Sequence, residues 1–216
     1  MRNPEQTYYA ARAREYERIY HKPERQADLT RLREAVPVPF TNRSVLEVAC
    51  GTGYWTQHIA ATARSICATD LADETLAVAK AKRLDPDRVT FSVADAMDLP
   101  ASLGTFESAF CGFWWSHVPR SSVGAFLASL HARLVPGATV LLLDNLYIEG
   151  SSTPISRRTA DGDTCQLRHL SDGSTHEVLK NFPSESELRA QLGSHATDVK
   201  YTDHGHYWLL EYRCVT

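Results

Sequence analysis

The sequence predicts an α/β fold with a doubly wound sheet of seven strands, most of them parallel, and helices on both faces. Short apolar segments alternate with helical patterns between residues 44 and 145, as they do in consecutive βαβ units. A turn that contains two glycines directly follows the first apolar segment. Near the C-terminus, segments 196–201 and 206–214 suit an antiparallel pair of strands that closes the sheet.

The composition is that of a globular chain with a single domain over residues 1–216. Its formal net charge of −3 argues against general binding to nucleic acid or to an anionic membrane, and we expect neither partner. We find no apolar run long enough to span a bilayer and no apolar leader, so we expect a cytoplasmic protein. Five scattered cysteines indicate free thiols, and no metal is expected. The sequence leaves the oligomeric state open.

The segment 44–56 combines a strand, a tight turn and the start of a helix. Its strand carries a carboxylate, Glu47, which is costly inside an apolar strand unless it has a polar partner. Gly51 and Gly53 have no Cβ, so the backbone of the turn can adopt unusual φ values and approach a ligand closely. The helix that begins near Tyr54 offers unpaired N–H groups at its N-terminus. A carboxylate beside such a turn can hold hydroxyls or a cationic amine.

Acidic residues also follow the next two predicted strands. Segment 65–70 ends in Asp70, where a carboxylate can accept from both hydroxyls of a ribose, cap the following helix, or do both. The strand over 88–93 is followed by Asp95 and Asp98, either of which also suits a turn. Because parallel strands point their carboxyl ends at one edge of the sheet, Asp70 is expected near the glycine turn.

Two regions lie outside the alternating pattern. Residues 1–40 are expected to form an N-terminal helical lid with helices over 4–20 and 23–36. Residues 146–183 are expected to contain a β-hairpin, because Asp172-Gly173 stands between two strand-like runs. Tyrosines of the first helix are predicted either to pack in the core or to close over a bound ligand.

The run from Glu47 to Gly53 resembles motif I of the class I methyltransferases that depend on S-adenosylmethionine (SAM), usually written (D/E)-x-G-x-G-x-G. Ala49 stands at the first glycine position and slightly crowds the turn. The resemblance covers roughly residues 44–145. It implies a Rossmann-like class I methyltransferase fold and SAM as the cofactor. Asp70 would hold the ribose hydroxyls.

The resemblance also implies the rest of the cofactor site. Asp95 would accept from the adenine amino group while the N–H of Ala96 reaches the ring, with Asp98 competing for the first role. Tyr16, in a Glu-Tyr pair of the N-terminal helix, would close over the ligand. The full set of implied cofactor-binding residues is Tyr16, Glu47, Ala49, Cys50, Gly51, Thr52, Gly53, Trp55, Asp70, Leu71, Asp95, Ala96, Met97 and Phe113.

The residues that follow the fourth strand face the ligand crevice of such a sheet. One of Trp114 and Trp115 is expected to pack on the methionine arm of SAM or to wall the acceptor pocket, and the other to lie in the core. His117 is predicted either to be a structural hydrogen-bonding residue or to be a catalytic general base.

Four motifs span nearly the whole chain: Tyr8-Tyr9 with Arg12 and Glu15-Tyr16, the turn from Gly51 to Thr56, His117-Val118-Pro119, and Asp172-Gly173 with Lys180, Phe182, Ser184 and Glu187-Leu188. Together they resemble a group of small bacterial methyltransferases that includes the phosphonate O-methyltransferase of dehydrophos biosynthesis. The group folds its hairpin over the acceptor site and supplies basic residues from it, which implies substrate-binding roles for Arg168 and Lys180. Tyr20 of the N-terminal helix and Trp114 after the fourth strand are the other predicted substrate-binding residues. Solvated strand charges are the alternative for the two cations. A strict two-residue turn would place Lys180 on the face opposite to Arg168, and a one-residue bulge would bring both to the same face.

The predicted function is therefore methyl transfer from SAM to a small molecule, with an anionic or hydroxyl oxygen as acceptor and an in-line displacement as the reaction. A nicotinamide-dependent oxidoreductase would use a similar sheet, but the Gly-x-Gly-x-x-Gly pattern fails at Thr56. A nucleic-acid methyltransferase would need a basic face that the sequence does not indicate. A SAM-binding module without catalysis is the remaining alternative.

Overall fold

The computed structural model describes Arg12 and residues 15–215, and its main sheet has seven strands. Their order is β3-β2-β1-β4-β5-β10-β9, with β10 antiparallel to β5 and β9, and the other neighbours parallel. The predicted fold class is confirmed. The strands are β1 (Ser44–Val48), β2 (Ser65–Asp70), β3 (Val89–Val93), β4 (Phe106–Gly112), β5 (Leu134–Asn145), β6 (Ile155–Arg158), β7 (Thr164–His169), β8 (Thr175–Leu179), β9 (Ala196–Asp203) and β10 (Tyr207–Cys214).

Helices cover both faces of this sheet. The five α-helices of the described chain are α1 (Gln26–Ala35), α2 (Tyr54–Ile59), α3 (Asp73–Ala81), α4 (Val123–His131) and α5 (Glu185–Leu192). Successive residues of a strand point to opposite faces, so Leu141 and Leu142 belong to different apolar cores. One core packs against α4 and α5, and the other against α1 and α2. Because β1 is central and buried, its carboxyl end faces the middle of the crevice.

Two predicted elements differ from the structure. The sequence pattern predicts a helix over 121–134 and a strand over 138–143, whereas α4 ends at His131 and β5 begins at Leu134, so Pro136 and Gly137 lie inside the strand. The pairing register of β5 with β4 shifts in this region, and Gly137 has φ +74°, as expected of an irregular strand start. Much of the helix predicted over 4–20 lies outside the described residues, and Tyr16–His21 form a 3₁₀-helix.

A second sheet has three antiparallel strands in the order β6-β7-β8. The sequence predicted β7 and β8 as a hairpin but not β6. Leu170 donates its N–H to the carbonyl of Ser174 at 3.0 Å, so the turn has three residues, and Gly173 adopts φ +84° within it. The extra residue pairs Arg168 with His176. Arg168 and Lys180 therefore lie on the same face of this sheet, as the predicted one-residue bulge requires.

Within the described part of the chain, no helix is long and apolar enough to cross a membrane. The five cysteines are all free thiols. The start of α5 is a capping box, in which Ser184 and Glu187 satisfy each other's backbone N–H groups.

Candidate active site

A cavity of about 230 Å³, which we call the glycine-turn cavity, opens at the carboxyl ends of β1, β2 and β4. This is the edge at which open α/β sheets bind ligands. The residues that line it come from the turn after β1, from the ends of β2 and β4, from the loop after β3 and from the N-terminal segment. They are Tyr16, Ala49, Gly51, Asp70, Leu71, Ala72, Thr75, Ala94, Asp95, Ala96, Met97, Gly112, Phe113, Trp114 and His117.

The turn after β1 has a left-handed backbone at three positions. Ala49, Gly51 and Gly53 have φ angles of +53°, +56° and +74°. A Cβ on Gly51 would meet no atom within 4 Å, which leaves open space for a ligand next to the backbone. A Cβ on Gly53 would lie 3.0 Å from the Cβ of Ala79, so this glycine is needed for the packing of α2 against α3.

Glu47 lies below this turn, and its side chain is buried. The residue is only 1% exposed, and its Oε2 has no hydrogen-bond partner. Burial raises the pKa of its carboxyl group to about 8, with a further contribution from the nearby Asp70 carboxylate. A buried carboxyl oxygen without a partner is costly, and a cationic group or hydrogen-bond donor of a ligand would compensate it.

Asp70 combines a structural role with exposure to the cavity. Its Oδ2 accepts from the N–H of Gly51 at 2.8 Å, and its Oδ1 accepts from the N–H of Ala72 at 2.9 Å and from the hydroxyl of Thr75 at 3.0 Å. Burial raises the pKa of the carboxyl group in spite of these bonds. The carboxylate thereby joins the glycine turn to the start of α3, and its remaining lone pairs can accept from a ligand's hydroxyls.

The two acids after β3 differ in position. Asp95 lines the glycine-turn cavity, and its Oδ1 accepts from the N–H of Met97 at 2.8 Å. Asp98 is absent from the wall of the cavity and is exposed. Position therefore favours Asp95 over Asp98 for a contact with a ligand.

Some residues predicted to bind a cofactor do not line the cavity. These residues are Glu47, Cys50, Thr52, Gly53 and Trp55. Thr52 is buried and donates its hydroxyl to Oε1 of Glu17 at 2.8 Å, and Lys82 donates to the same oxygen at 2.6 Å. Trp55 lies in the apolar core with Phe110 and Phe113. For these residues a direct contact with the cofactor stays a prediction.

A second cavity of about 90 Å³, the basic cavity, lies beside the first. Five Lys or Arg side chains line it, and no Asp or Glu of the described chain does. The lining residues are Arg12, Tyr16, Ile19, Tyr20, Lys22, Arg25, Phe113, His117, Asn145, Ser151, Ser152, Thr153, Gln166, Arg168, Lys180, Phe182 and Tyr207. A concave surface with several converging cations favours an anionic ligand.

Tyr16, Phe113 and His117 line both cavities. Phe113 has φ +60°, which directs the chain after β4 across the crevice, and its N–H donates to the carbonyl of Leu143 at 2.7 Å. His117 ends the 3₁₀-helix Trp115–His117 and is 9% exposed. A group passed from one cavity to the other would cross at these three side chains.

Lys180, a cation of the basic cavity, is hydrogen-bonded to Ser116, the residue directly before His117. Its Nζ donates to Oδ1 of Asp144 at 2.9 Å and to the hydroxyl of Ser116 at 2.5 Å. Asp144 is fully buried, and its Oδ2 accepts from the N–H of Ser116 at 2.9 Å. Burial would raise the pKa of Asp144, but the charges of Lys180 and His117 hold it below its usual value. The pair thus fixes both the lysine and the turn that carries His117.

Arg168, the second predicted cation, lies beside the loop before β6. Its guanidinium donates to the hydroxyl of Thr153 at 2.8 Å and to the side-chain oxygen of Gln166 at 2.6 Å. Both partners line the basic cavity as well. The structure therefore brings Arg168 and Lys180 together at one cavity.

The aromatic side chains divide between the two cavities. Tyr20 lines the basic cavity, where it stacks on Tyr54 with ring centroids 3.7 Å apart. Trp114 lines the glycine-turn cavity, away from the basic cavity, so its position supports a cofactor contact more than the predicted acceptor contact. Trp115 is buried in the core against Phe126, which agrees with one tryptophan facing the crevice and one facing the core.

The sequence prediction missed Lys22 and Arg25, which also line the basic cavity. They lie in a polar stretch before α1 that shows no motif. The residues that they contact, Asn145 and Ser151, are more than a hundred positions away in sequence. No local signal could have placed them at this site.

Comparisons with known proteins agree with this geometry. A family described as "Methyltransferase domain" matches residues 45–137. Two structures of DhpI, one in complex with SAH and one with SAM and HEP, are 28% and 27% identical to the chain, with TM-scores of 0.77 and 0.78. They cover 98% and 97% of this chain, which covers 96% of each of them. The chain belongs to the class I SAM-dependent methyltransferases.

A curated relative of this methyltransferase is the ubiquinone biosynthesis O-methyltransferase of Xanthomonas campestris pv. campestris (strain B100). It is 31% identical over 160 residues, which are 73% of this chain, and the chain spans 64% of the relative's own length. SAM and its demethylated product SAH are the cofactor forms bound by DhpI. The open backbone at Gly51, the unpartnered oxygen of Glu47 and the lining carboxylate of Asp70 fit such a cofactor.

Proposed function

We propose that this methyltransferase transfers the methyl group of SAM to an anionic oxygen of a small acceptor, such as a phosphonate, phosphate or carboxylate. The observation that carries the proposal is the basic cavity, where five cationic side chains line the wall and no carboxylate of the described chain does. The cavity meets the glycine-turn cavity at Tyr16, Phe113 and His117. The proposed roles of Asp70 and Asp95 are to bind the ribose and the adenine of SAM.

Bound SAM supplies an electrophilic methyl carbon, and an anionic oxygen is already a nucleophile. The residues of the basic cavity then have to position the oxygen in line at roughly 3 Å rather than to deprotonate it. Arg168 and Lys180 are proposed to hold the anion, and Tyr20 to wall its pocket. Phe113 and the N-terminal segment that carries Tyr16 are proposed to exclude water from the junction. In this proposal the region 146–183 covers the acceptor.

A screen of small acceptors tests the proposal. The purified chain would be incubated with SAM labelled in its methyl group and with matched sets of phosphonates, phosphates, carboxylates, their neutral amides, phenols and amines. We expect label in the methyl esters of the anionic compounds only. Label that appeared mainly on neutral phenols or amines would contradict the proposal. Thermal shift with SAH against NAD separates this enzyme class from the oxidoreductase alternative, and we expect stabilisation by SAH alone.

The second candidate function is O-methylation of a hydroxyl group. It is favoured by the position of His117, which lines both cavities and could remove the hydroxyl proton as a general base. The relative from Xanthomonas is named as an O-methyltransferase of ubiquinone biosynthesis. The two candidates differ in what they require of His117. An anionic acceptor leaves it a structural residue, whereas a hydroxyl acceptor makes it necessary for turnover.

A further inference from the structure

Arg25 is a buried cation with neutral partners. The residue is 6% exposed, and its guanidinium lies over the ring of Tyr207, with its central carbon 5.6 Å from the ring centroid. It donates to the hydroxyl of Ser151 at 3.0 and 3.1 Å and to the side-chain oxygen of Asn145 at 3.1 Å. An arginine side chain keeps its charge in a protein, and burying that charge is costly unless an anion compensates it.

Lys22 lies next to Arg25 and shares its contact with the same loop. Its Nζ donates to the carbonyl oxygen of Ser151 at 2.6 Å. Burial lowers the pKa of this lysine, and the charges of Arg25 and Arg168 lower it further, against an opposing effect of Glu24. The positive charges of Lys22, Arg25 and Arg168 thus repel one another, and an anionic group of a ligand would offset this repulsion.

The carboxylate of Glu24 shares the hydroxyl of Ser151 with Arg25 but forms no ion pair with either cation. Oε1 of Glu24 accepts from the hydroxyl of Ser151 at 2.9 Å and faces solvent. Within residues 15–215, no carboxylate oxygen lies within 4.0 Å of the charged nitrogens of Lys22 or Arg25. Lys180 differs in this respect, because Asp144 neutralises it.

Lys22 and Arg25 are also bound to a different part of the chain from Lys180. Both contact the loop at Ser151, whereas Lys180 contacts Ser116 beside His117, on the wall shared with the glycine-turn cavity. Neither Lys22 nor Arg25 lines the glycine-turn cavity. Arg168 and Lys180 do not line it either, so the distinction rests on the bonding of Lys22 and Arg25 to the loop at Ser151 rather than to the turn that carries His117.

We propose that Lys22 and Arg25 form a second anion subsite, which binds an anionic group of the acceptor that is not methylated. The acceptor class is then a short molecule with two anionic groups, such as a phosphonate or phosphate that also carries a carboxylate. The inference rests on the proposed function, because it takes the reacting oxygen to lie beside His117 and Phe113. Because the four cations of the two proposed anion sites line one small cavity, of about 90 Å³, the proposal takes the linker between the two groups to be a few atoms long.

Calorimetric titration of the protein saturated with SAH tests this subsite without relying on turnover. The probes are phosphonoacetate, 3-phosphonopropionate and 4-phosphonobutyrate, each paired with its own carboxamide, which has the same shape and no carboxylate charge. For at least one chain length we expect the acid to bind about tenfold more tightly than the amide, as one charge-assisted hydrogen bond provides. In Lys22→Met and in Arg25→Gln we expect this ratio to fall towards one while the amide keeps its affinity.

The matched control is Arg18→Gln, which removes a positive charge from the same N-terminal segment at an exposed residue that lines neither cavity. In this variant the ratio of the affinity for the acid to the affinity for the amide should equal that of the unmodified chain. If Arg25→Gln fails to fold, Lys22→Met decides the test, because that side chain is only half-buried. A ratio near one at every chain length, or an equal loss for acid and amide in Lys22→Met, would overturn the subsite.

Assays of methyl transfer to the same compounds separate the two proposals. If the amides accept a methyl group and the ratio is one, the second subsite is wrong and the proposed function stands. If none of these compounds binds, and the acceptor screen shows no methyl transfer to any phosphonate, phosphate or carboxylate, both proposals are overturned.

Discussion

The glycine-turn cavity and the basic cavity share one wall but differ in charge and in origin. The first is formed mainly by segments at the ends of parallel strands and carries the carboxylates of Asp70 and Asp95. The second is formed by the N-terminal segment, the loop after β5 and the small sheet, and it carries cations. Opposite charges in adjacent cavities suit a cationic methyl donor in one and an anionic acceptor in the other. In the proposed function the fold supplies the donor site, and additions to the fold supply the acceptor site.

The largest expected effect is on the buried pair of the basic cavity. Lys180→Met leaves the Asp144 carboxylate buried without its cation, which should destabilise the fold by about 3–5 kcal/mol. Adding Asp144→Asn should restore a large part of that loss. Chemical denaturation of the two single variants and the double variant measures the coupling. Additive effects would mean that the pair does not support the basic cavity.

Below the glycine turn, the buried Glu47 should make the free energy of unfolding depend on pH. Because burial raises the pKa of its carboxyl group from 4.5 to about 8, folding favours the protonated form. The stability that protonation contributes is complete below pH 4.5 and is lost as pH rises to 8, at up to about 1.4 kcal/mol per pH unit.

Glu47→Gln should remove this component, so its free energy of unfolding without cofactor should fall less between pH 5 and 8 than that of the unmodified chain. Urea denaturation at a series of pH values measures the difference. Parallel curves for the two proteins would show that Glu47 is ionised throughout.

Asp70 should affect the donor and not the acceptor. We expect Asp70→Asn to weaken SAH binding about 10- to 100-fold, because a hydrogen bond to a buried charged group contributes about 1.5–3 kcal/mol. Asp98→Asn is the matched control, since that exposed acid follows the neighbouring strand β3 but is absent from the cavity wall. Calorimetric titration with SAH should show no change in the control. Equal losses in both variants would argue against a specific contact at Asp70.

Arg168 should show the opposite selectivity. Arg168→Gln is expected to raise the KM for an anionic acceptor about tenfold and to leave SAH affinity unchanged. Arg157→Gln serves as the control, because Arg157 belongs to the same small sheet but pairs with Glu177 and does not line either cavity. An unchanged KM in Arg168→Gln would remove this arginine from the acceptor site.

The smallest expected effect is that of His117→Ala on transfer to an anionic oxygen. Such an acceptor needs no deprotonation, so kcat at the optimal pH should fall less than about threefold. A steady-state pH profile of the variant checks this. A fall of a hundredfold or more, with loss of one limb of the profile, would instead support the hydroxyl acceptor and the general base.

The sequence could predict the main sheet and much of the glycine-turn cavity for a physical reason. Residues at the carboxyl ends of parallel strands meet at one edge, so Asp70 could be placed beside the glycine turn from the strand pattern, whereas Asp95 came from the resemblance. The identity of the cofactor was predicted from the family resemblance, which the comparisons confirm. Gly51 could be assigned to the turn because a left-handed backbone favours glycine.

The basic cavity was less predictable because long-range packing assembles it. Arg168 and Lys180 came from the resemblance, and their common face depended on one extra residue in a turn. The strand β6 reads Ile-Ser-Arg-Arg, which has too little apolar character to indicate a strand. Arg25 could not be predicted, because it reaches the cavity only through the packing of the N-terminal end of α1 against Ser151.

A crystal structure with SAH and 3-phosphonopropionate tests the central claim most directly. The account predicts SAH in the glycine-turn cavity, with its ribose at Asp70, and the phosphonate in the basic cavity near Arg168 and Lys180. One phosphonate oxygen should face the SAH sulfur between Tyr16, Phe113 and His117. A phosphonate bound outside the basic cavity, or a sulfur atom that does not face the shared wall, would contradict the account.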